Sequence, residues 1–344
     1  MATAVTIDPL RDPRWRQLVE RSPQGTAFHH PAWLQLLHSS YRYPVSACCL
    51  ASDDGELLAG LPLATVASRL TGTRLVALPF SDLCPVLRSG LQPAGGPAVL
   101  DEALIGLQRS RRLPLEVRAP DGALAVATPG ERFHHHVLRL EPDVRQVQRR
   151  FSKPQALRGV RRALREGLSA RVASDRGALA AFYTLHAATR RRQGVPTQPR
   201  RFILGLEDLF AQGLGFVLLV RASDRLVAAG VFLTSHDTLT YKYGASDARA
   251  LSLRPNNLLF MEAIRWGCEH GFRSLDFGRT HWGQEGLRAF KLSWGSDERE
   301  LRYRRLGQAV PREARASKAL AALIRRSPPL ASRLVGEVLY RHAG

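Results

Sequence analysis

Two stretches far apart in the chain repeat one pattern. Asp54-Gly55-Glu56-Leu57-Leu58-Ala59-Gly60-Leu61-Pro62-Leu63 resembles Asp224-Arg225-Leu226-Val227-Ala228-Ala229-Gly230-Val231-Phe232-Leu233, with a one-residue slip. Each copy starts at a turn and runs into a glycine-bearing apolar strand, downstream of a helical region. At 344 residues the chain is too long for one ordinary core. Repeat and length together predict two related halves, 1–145 and 146–308, followed by a helical tail, 309–344. The fold class expected is α/β (α+β), with mixed central sheets flanked by helices.

Read in order, residues 10–40 are helical, since Trp15, Leu18 and Val19, then Trp33, Leu36 and Leu37, recur at helical spacing. Phe28 to Trp33 is a helix start with Pro31 in the first turn. Strands are expected at 45–51, 56–66 and 74–80, a helix at 101–112 and a strand at 115–118. His134-His135-His136 precedes a strand beginning at Val137. Neighbours in extended chain face opposite sides, so three histidines in a row do not converge on one metal ion. Residues 143–170 form a basic helical segment, with Arg149, Arg150, Lys153, Arg158, Arg161, Arg162 and Arg165. It is either a phosphate grip or a solvated face. A helix at 177–192 leads to strands at 215–221, 226–234 and 239–243. A buried helix from about 258 to 270 follows, then a strand at Ser274. The tail reads as two helices broken at Pro328-Pro329. Its apolar faces beside arginines pack on the core or rest on an anionic membrane.

Hydrophobic residues make up 44% and charged residues 23%, a globular composition. No apolar run approaches the ~20 residues of a membrane span. The first ten residues lack a basic region followed by an apolar one, so a cytoplasmic protein is expected, with peripheral contact at the inner membrane face as an option. Cys48, Cys49, Cys84 and Cys268 lack zinc-site spacing and read as small buried hydrophobes. Net charge is +20, which favours anionic partners, although the arginines are spread along the chain.

Residues 273–295 mix aromatics, glycines and charges too closely for a solvated loop or a buried strand. Such a mixture suggests a site wall. Only four of the 50 cationic residues are lysines: Lys153, Lys242, Lys291 and Lys318. Lys291, inside Phe290-Lys291-Leu292, is a compact ammonium kept where arginine is the default. The alternative is a snorkelling surface lysine.

Several segments together resemble the FemAB-like branch of the GNAT acyltransferase superfamily. They are Phe28 to Trp33, Leu57 to Leu63, Leu78-Pro79-Phe80-Ser81-Asp82, Tyr243-Gly244-Ala245, Pro255-Asn256-Asn257, Asp276-Phe277-Gly278-Arg279, and Phe290-Lys291 followed by Trp294-Gly295. The resemblance covers most of the chain. It implies two tandem GNAT-like domains, the first degenerate. It also implies amide-bond formation, in which an activated acyl or aminoacyl group moves to an amine of a peptidoglycan or exopolysaccharide precursor. The co-substrate implied is aminoacyl-tRNA or acyl-CoA, with no resident cofactor and no metal. The family's Phe-Lys pair beside the transfer site corresponds to Phe290 and Lys291. The usual GNAT pyrophosphate loop is replaced by Leu253-Arg254-Pro255-Asn256-Asn257, and the coiled-coil insertion of some tRNA-using members is lacking.

Amide formation needs a deprotonated amine, a stabilised oxyanion and aligned reactants. Lys291 is the candidate cation. Asp276 is either the proton acceptor or a structural partner of Arg279. Arg279, Phe290, Tyr241 and Tyr243 are candidate substrate contacts, and both tyrosines also fit a core role. Arg254, Asn256 and Asn257 are candidates for donor phosphates, with helix capping as the alternative for the asparagines. A rival class remains, a non-catalytic module docking RNA or anionic lipid on residues 149–165.

Overall fold

The computed structural model describes residues 2–69, 71–90, 96–119, 124, 127–307 and 318–342. The expected boundary at 308/309 lies outside the described residues. The chain forms two compact units. One comprises Met1–Arg132, Leu301–Arg315 and Val338–Gly344, the other Phe133–Glu300 and Ala316–Glu337.

The first unit opens with β1 (Thr3–Ile7), a strand the helical spacing did not announce. Two helices follow, α1 (Pro13–Arg21) and α2 (Pro31–Tyr41). Each starts as the sequence requires, with proline in the first turn and a capping side chain before it. Asp12 accepts from the Arg14 amide, and His30 accepts from the Ala32 amide. Next come β2 (Val45–Ala51), β3 (Leu57–Ser68), β4 (Gly72–Val76), β5 (Leu87–Arg88), α3 (Gly96–Arg111) and β6 (Leu115–Val117). The strand expected to reach Phe80 stops at Val76. Leu78 and Phe80 take positive φ (57° and 61°), which no strand accommodates.

The second unit takes up β7 (Thr128–Arg139) from Phe133, so the three histidines lie inside this strand and do not precede it. The segment expected as one basic helix is α4 (Val144–Gln148), a π-turn at Lys153–Leu157 and α5 (Arg158–Arg165). Pro154 breaks it, and Gly167, at φ +73°, turns the chain into β8 (Leu168–Ala173). Helix α6 (Arg176–Gln193) is capped by Asp175 and closed by Gly194 in the left-handed conformation. Then come α7 (Arg200–Leu204), α8 (Glu207–Phe210), β9 (Gly215–Ala222), β10 (Arg225–Ser235), β11 (Thr238–Ser246) and α9 (Pro255–Glu269). The strand begun at Ser274 is β12 (Ser274–His281), longer than expected. It leads into α10 (Glu285–Leu292), a helix the mixed composition concealed. β13 (Asp297–Leu306) and the tail helices α11 (Lys318–Arg326) and α12 (Pro329–Leu339) complete the chain.

Within the first unit the strand order is β1-β2-β3-β4-β6-β13, with β5 on β3. Within the second it is β7-β12-β11-β10-β9-β8. Both sheets are mixed, since β4–β6 and β11–β12 are parallel and the other pairs antiparallel. The repeated segments are β3 and β10, each the return strand of a hairpin, and each carries a register shift near its start. The chain skips Leu58 in one and Val227 in the other, one position apart when Gly60 is set on Gly230. The core of the second unit is aromatic. Phe260 of α9 meets Tyr241, Phe277, Phe290 and Trp294 at centroid distances of 4.7–6.1 Å. All four cysteines are buried, and none of them forms a disulfide.

Candidate active site

The site is organised by two interruptions of the second unit's sheet. β11 and β12 pair only through Thr238–Ser274, Leu239–Leu275 and Thr240–Asp276. β11 then continues to Ser246 against β10, while β12 continues to His281 against β7. The two strands therefore part beyond Thr240 and Asp276. The second interruption lies in β12 itself, where the register with β7 jumps between Asp276 and Arg279. Gly278, at φ +68°, makes this bulge possible, and its amide donates to Asp276 Oδ1 at 2.7 Å.

The bulge offers two carbonyls to one cation. Lys291 Nζ donates to Gly278 O at 2.9 Å and to Arg279 O at 3.1 Å. The side chain is 3% exposed, whereas its neighbour Leu292 on α10 is 37% exposed. The lysine points in and the leucine out, the reverse of ordinary patterning, so the snorkelling alternative is ruled out.

Around Lys291 lies a network that the sequence reading passed over. His134 and His136 share one face of β7 and converge on Glu298, through Nδ1 to Oε1 at 3.2 Å and Nε2 to Oε2 at 2.9 Å. Arg288 of α10 clamps the same carboxylate at 2.7 and 2.9 Å. Arg288 is the main reason Glu298 is held down to about 2, with burial opposing it. Burial is also the main reason His136 is pushed down to about 4, and the Lys291 charge adds to it. The period-2 alternation that argued against a metal site predicts this pairing of His134 with His136. What it lacked was the partner, Glu298, more than 160 residues away.

His135 faces the other side, where its Nε2 lies 2.8 Å from Asp276 Oδ1. On that side Arg279 lies over the Phe133 ring, 4.5 Å from its centroid. Lys291 and Asp276 therefore do not bring their side chains together. They are linked through the residue Gly278, whose N–H donates to Asp276 and whose carbonyl accepts from Lys291. The pairing of Asp276 with Arg279 considered from the sequence is replaced by one with His135.

The remaining candidates scatter for identifiable reasons. The β10–β11 register shifts between Tyr241 and Tyr243, since Phe232 pairs with Tyr241 and the adjacent Val231 with Tyr243. The bulge sends the two rings to opposite faces. Tyr241 packs on Phe232 and Phe260, and burial raises its phenol pKa. Tyr243 packs on His186 and Phe202. Phe290 joins Tyr241 on Phe260. Asn257 is buried, and its amide donates to the carbonyls of Gln155 and Ala156, tying α9 to the π-turn. Asn256 is half-buried, and Arg254, exposed and left-handed at φ 62°, precedes Pro255 at the start of α9. The basic residues of 149–165 are all exposed, on segments packed against α9.

Acid should destabilise this fold through its buried histidines. Burial is the main cause that pushes His186, as well as His136, down to about 4; for His186 the Arg190 charge adds to it. The unfolded chain binds these protons near pH 6.5 and the folded chain only near 4. Stability is therefore complete above pH 6.5 and is lost as pH falls toward 4, by on the order of 2–3 kcal/mol per histidine. Glu298 adds a loss below about pH 4.5, continuing toward 2. Melting curves at pH 7, 5.5 and 4 should show a falling midpoint that flattens in part in His186→Phe. An unchanged midpoint from pH 7 to 4 would contradict this electrostatic account.

Residues 151–292 match the family model of the acetyltransferase (GNAT) domain. The chain carries a GNAT acyltransferase domain. Of the two classes the sequence left open, this decides for the enzyme. No curated protein matches the chain by sequence. Among solved structures its fold is similar to that of FemX, with 15% identity and a TM-score of 0.61 over 84% of this chain and 95% of that one. L-PGS from Bacillus licheniformis gives 15% identity and 0.55, over 96% and 98%. A tandem GNAT protein from the clavulanic acid biosynthesis pathway gives 13% and 0.52, over 90% and 100%. The expected tandem GNAT fold with mixed sheets and a helical tail holds, and FemX shares that fold. No described helix is long and apolar enough to cross a membrane, and no group of acidic, histidine and cysteine side chains among the described residues is placed to hold a metal.

Proposed function

We propose that this GNAT enzyme transfers an aminoacyl group from aminoacyl-tRNA to an amine of a cell-envelope precursor, in the cytoplasm. The observation that carries the proposal is the buried Lys291 ammonium, fixed on the bulge carbonyls where β12 has left β11. In this reaction the amine nitrogen attacks the ester carbonyl carbon. The bond from that carbon to the tRNA ribose oxygen breaks, and the amine proton ends on the released hydroxyl. Negative charge gathers on the former carbonyl oxygen, and a preorganised cation in a low-dielectric site stabilises it. Lys291 supplies that cation. Asp276 acts by position, since it anchors the Gly278 amide and so fixes the two carbonyls that hold Lys291. Phe290 and Tyr241 form the apolar wall on Phe260.

The start of α9 supports the choice of donor. Pro255 has no amide to offer a pyrophosphate, and the Asn257 amide is spent on Arg254 O at 3.0 Å. Two of the first three positions are thus lost to the anion cradle of a helix start. Beside α9, exposed Arg158, Arg161, Arg162 and Arg165, with Arg254, suit a long phosphate backbone better than a single coenzyme. The test is thermal-shift titration with acetyl-CoA, uncharged tRNA and charged tRNA, followed by transfer to a muramyl-pentapeptide precursor. Stabilisation by tRNA, weakened by salt, and transfer of the amino acid are expected. Stabilisation by acetyl-CoA alone would move the donor to acyl-CoA.

A further inference from the structure

Among the described residues, the three most exposed large hydrophobic side chains all belong to the tail helices. Leu323 of α11 is 63% exposed, and Leu334 and Val338 of α12 are 67% and 63%. Nothing in the acyl-transfer site uses them. Their exposure follows from the way the helices are seated. Ile324 is buried, and the Ser327 carbonyl accepts from Arg191 Nη1. On α12 the inward residues are Arg333, Gly336 and Glu337. Arg333 lies over Tyr183, Gly336 touches the Thr197 carbonyl, and Glu337 binds Arg201 at 2.9 Å and the Arg200 amide at 3.0 Å. These contacts turn Leu334 and Val338, one turn apart, to the outside.

Cations stand beside the apolar side chains on both helices. Exposed Arg326 comes one turn after Leu323, and exposed Arg341 comes one turn after Val338. Apolar side chains flanked within a turn by arginines match the boundary between acyl chains and phosphate headgroups, where a long cationic stem reaches back to the phosphates. A second copy is a poor occupant, because each chain carries a net charge of +20 and would repel the other.

We propose that the outward face of α11 and α12, made of Leu323, Leu334, Val338, Arg326 and Arg341, docks on a bilayer rich in anionic lipid. Leu323, Leu334 and Val338 enter the interface and the arginines hold lipid phosphates. The proposal stands apart from the acyl donor and acceptor, since it is tested without either.

The test is co-sedimentation of the full chain with vesicles of phosphatidylglycerol and phosphatidylcholine, or of phosphatidylcholine alone. Binding to the anionic vesicles only, weakened by salt, is expected. The triple variant Leu323→Ser, Leu334→Ser, Val338→Ser should bind them at least ~10-fold more weakly, with an unchanged melting midpoint because the three sites are exposed. Replacement of Arg158, Arg161 and Arg162 by alanine should leave vesicle binding within about two-fold, since those residues lie on another helix. Absence of wild-type binding would overturn the proposal. So would equal binding by the triple variant, which would leave only the diffuse charge of the chain. A wild-type dimer that the triple variant dissociates would overturn it too, and would assign the face to a second copy.

Discussion

Replacing Lys291 by alanine lowers the transfer rate by roughly two to three orders of magnitude while the protein stays folded. That is the usual effect of removing one preorganised charge from an oxyanion site. The fold is expected to weaken as well. Gly278 O loses a donor at a buried position, which costs about 1–3 kcal/mol, and Arg279 O loses one at a part-buried position. Lys291→Met separates the two effects, because it keeps the stem packed and removes only the charge. Its rate should fall as far as that of the alanine variant, with a smaller loss of stability. Lys291→Arg should not rescue the rate, since a planar guanidinium does not reproduce a point charge held by two adjacent carbonyls. The checks are kcat/KM for transfer and thermal melts of each purified variant. A wild-type rate in the methionine variant would remove Lys291 from the reaction.

Trp294→Ala should cost about 3–5 kcal/mol, among the largest effects of any single core substitution. The indole is fully buried and packs edge-on against Phe151 at 5.1 Å and Phe290 at 6.1 Å. It also meets Phe260, the ring on which Tyr241 and Phe290 rest. A typical domain is stable by only ~5–15 kcal/mol, so the midpoint of urea unfolding should move far. Trp294→Phe should be much milder. The indole Nε1 has no hydrogen-bond partner among the described residues, so its loss leaves nothing unsatisfied. Near-equal midpoints for the alanine variant and the wild type would mean that the cavity collapses around neighbouring rings.

Local chemistry was legible where it is decided within a few residues. Pro31 opens a helix, and the turns that start the two repeated segments, at Asp53-Asp54-Gly55 and Ser223-Asp224, fall where expected. The candidate site was only partly legible. Lys291 stood out because lysine is rare in this chain, and the structure buries it. The division of labour between Asp276 and Lys291 was not visible. A bulge costs one residue of register and flips every side chain beyond it. The same holds for Tyr241 and Tyr243, which alternation puts on one face and the bulge at Lys242 separates. α10 was hidden because its inward residue is a lysine and two of its leucines point out.

By itself the sequence determined the class of fold, two α/β halves carrying one repeated hairpin, and the FemAB-like motif order that includes Phe290-Lys291. These rest on periodicity and turn chemistry, which act over a handful of neighbouring residues. Only the tertiary structure decided that His134 and His136 share Glu298 with Arg288. It alone decided that Asp276 turns to His135, and that β11 and β12 part after three paired residues. Those outcomes depend on which strands meet and in what register, and partners from distant parts of the chain settle that.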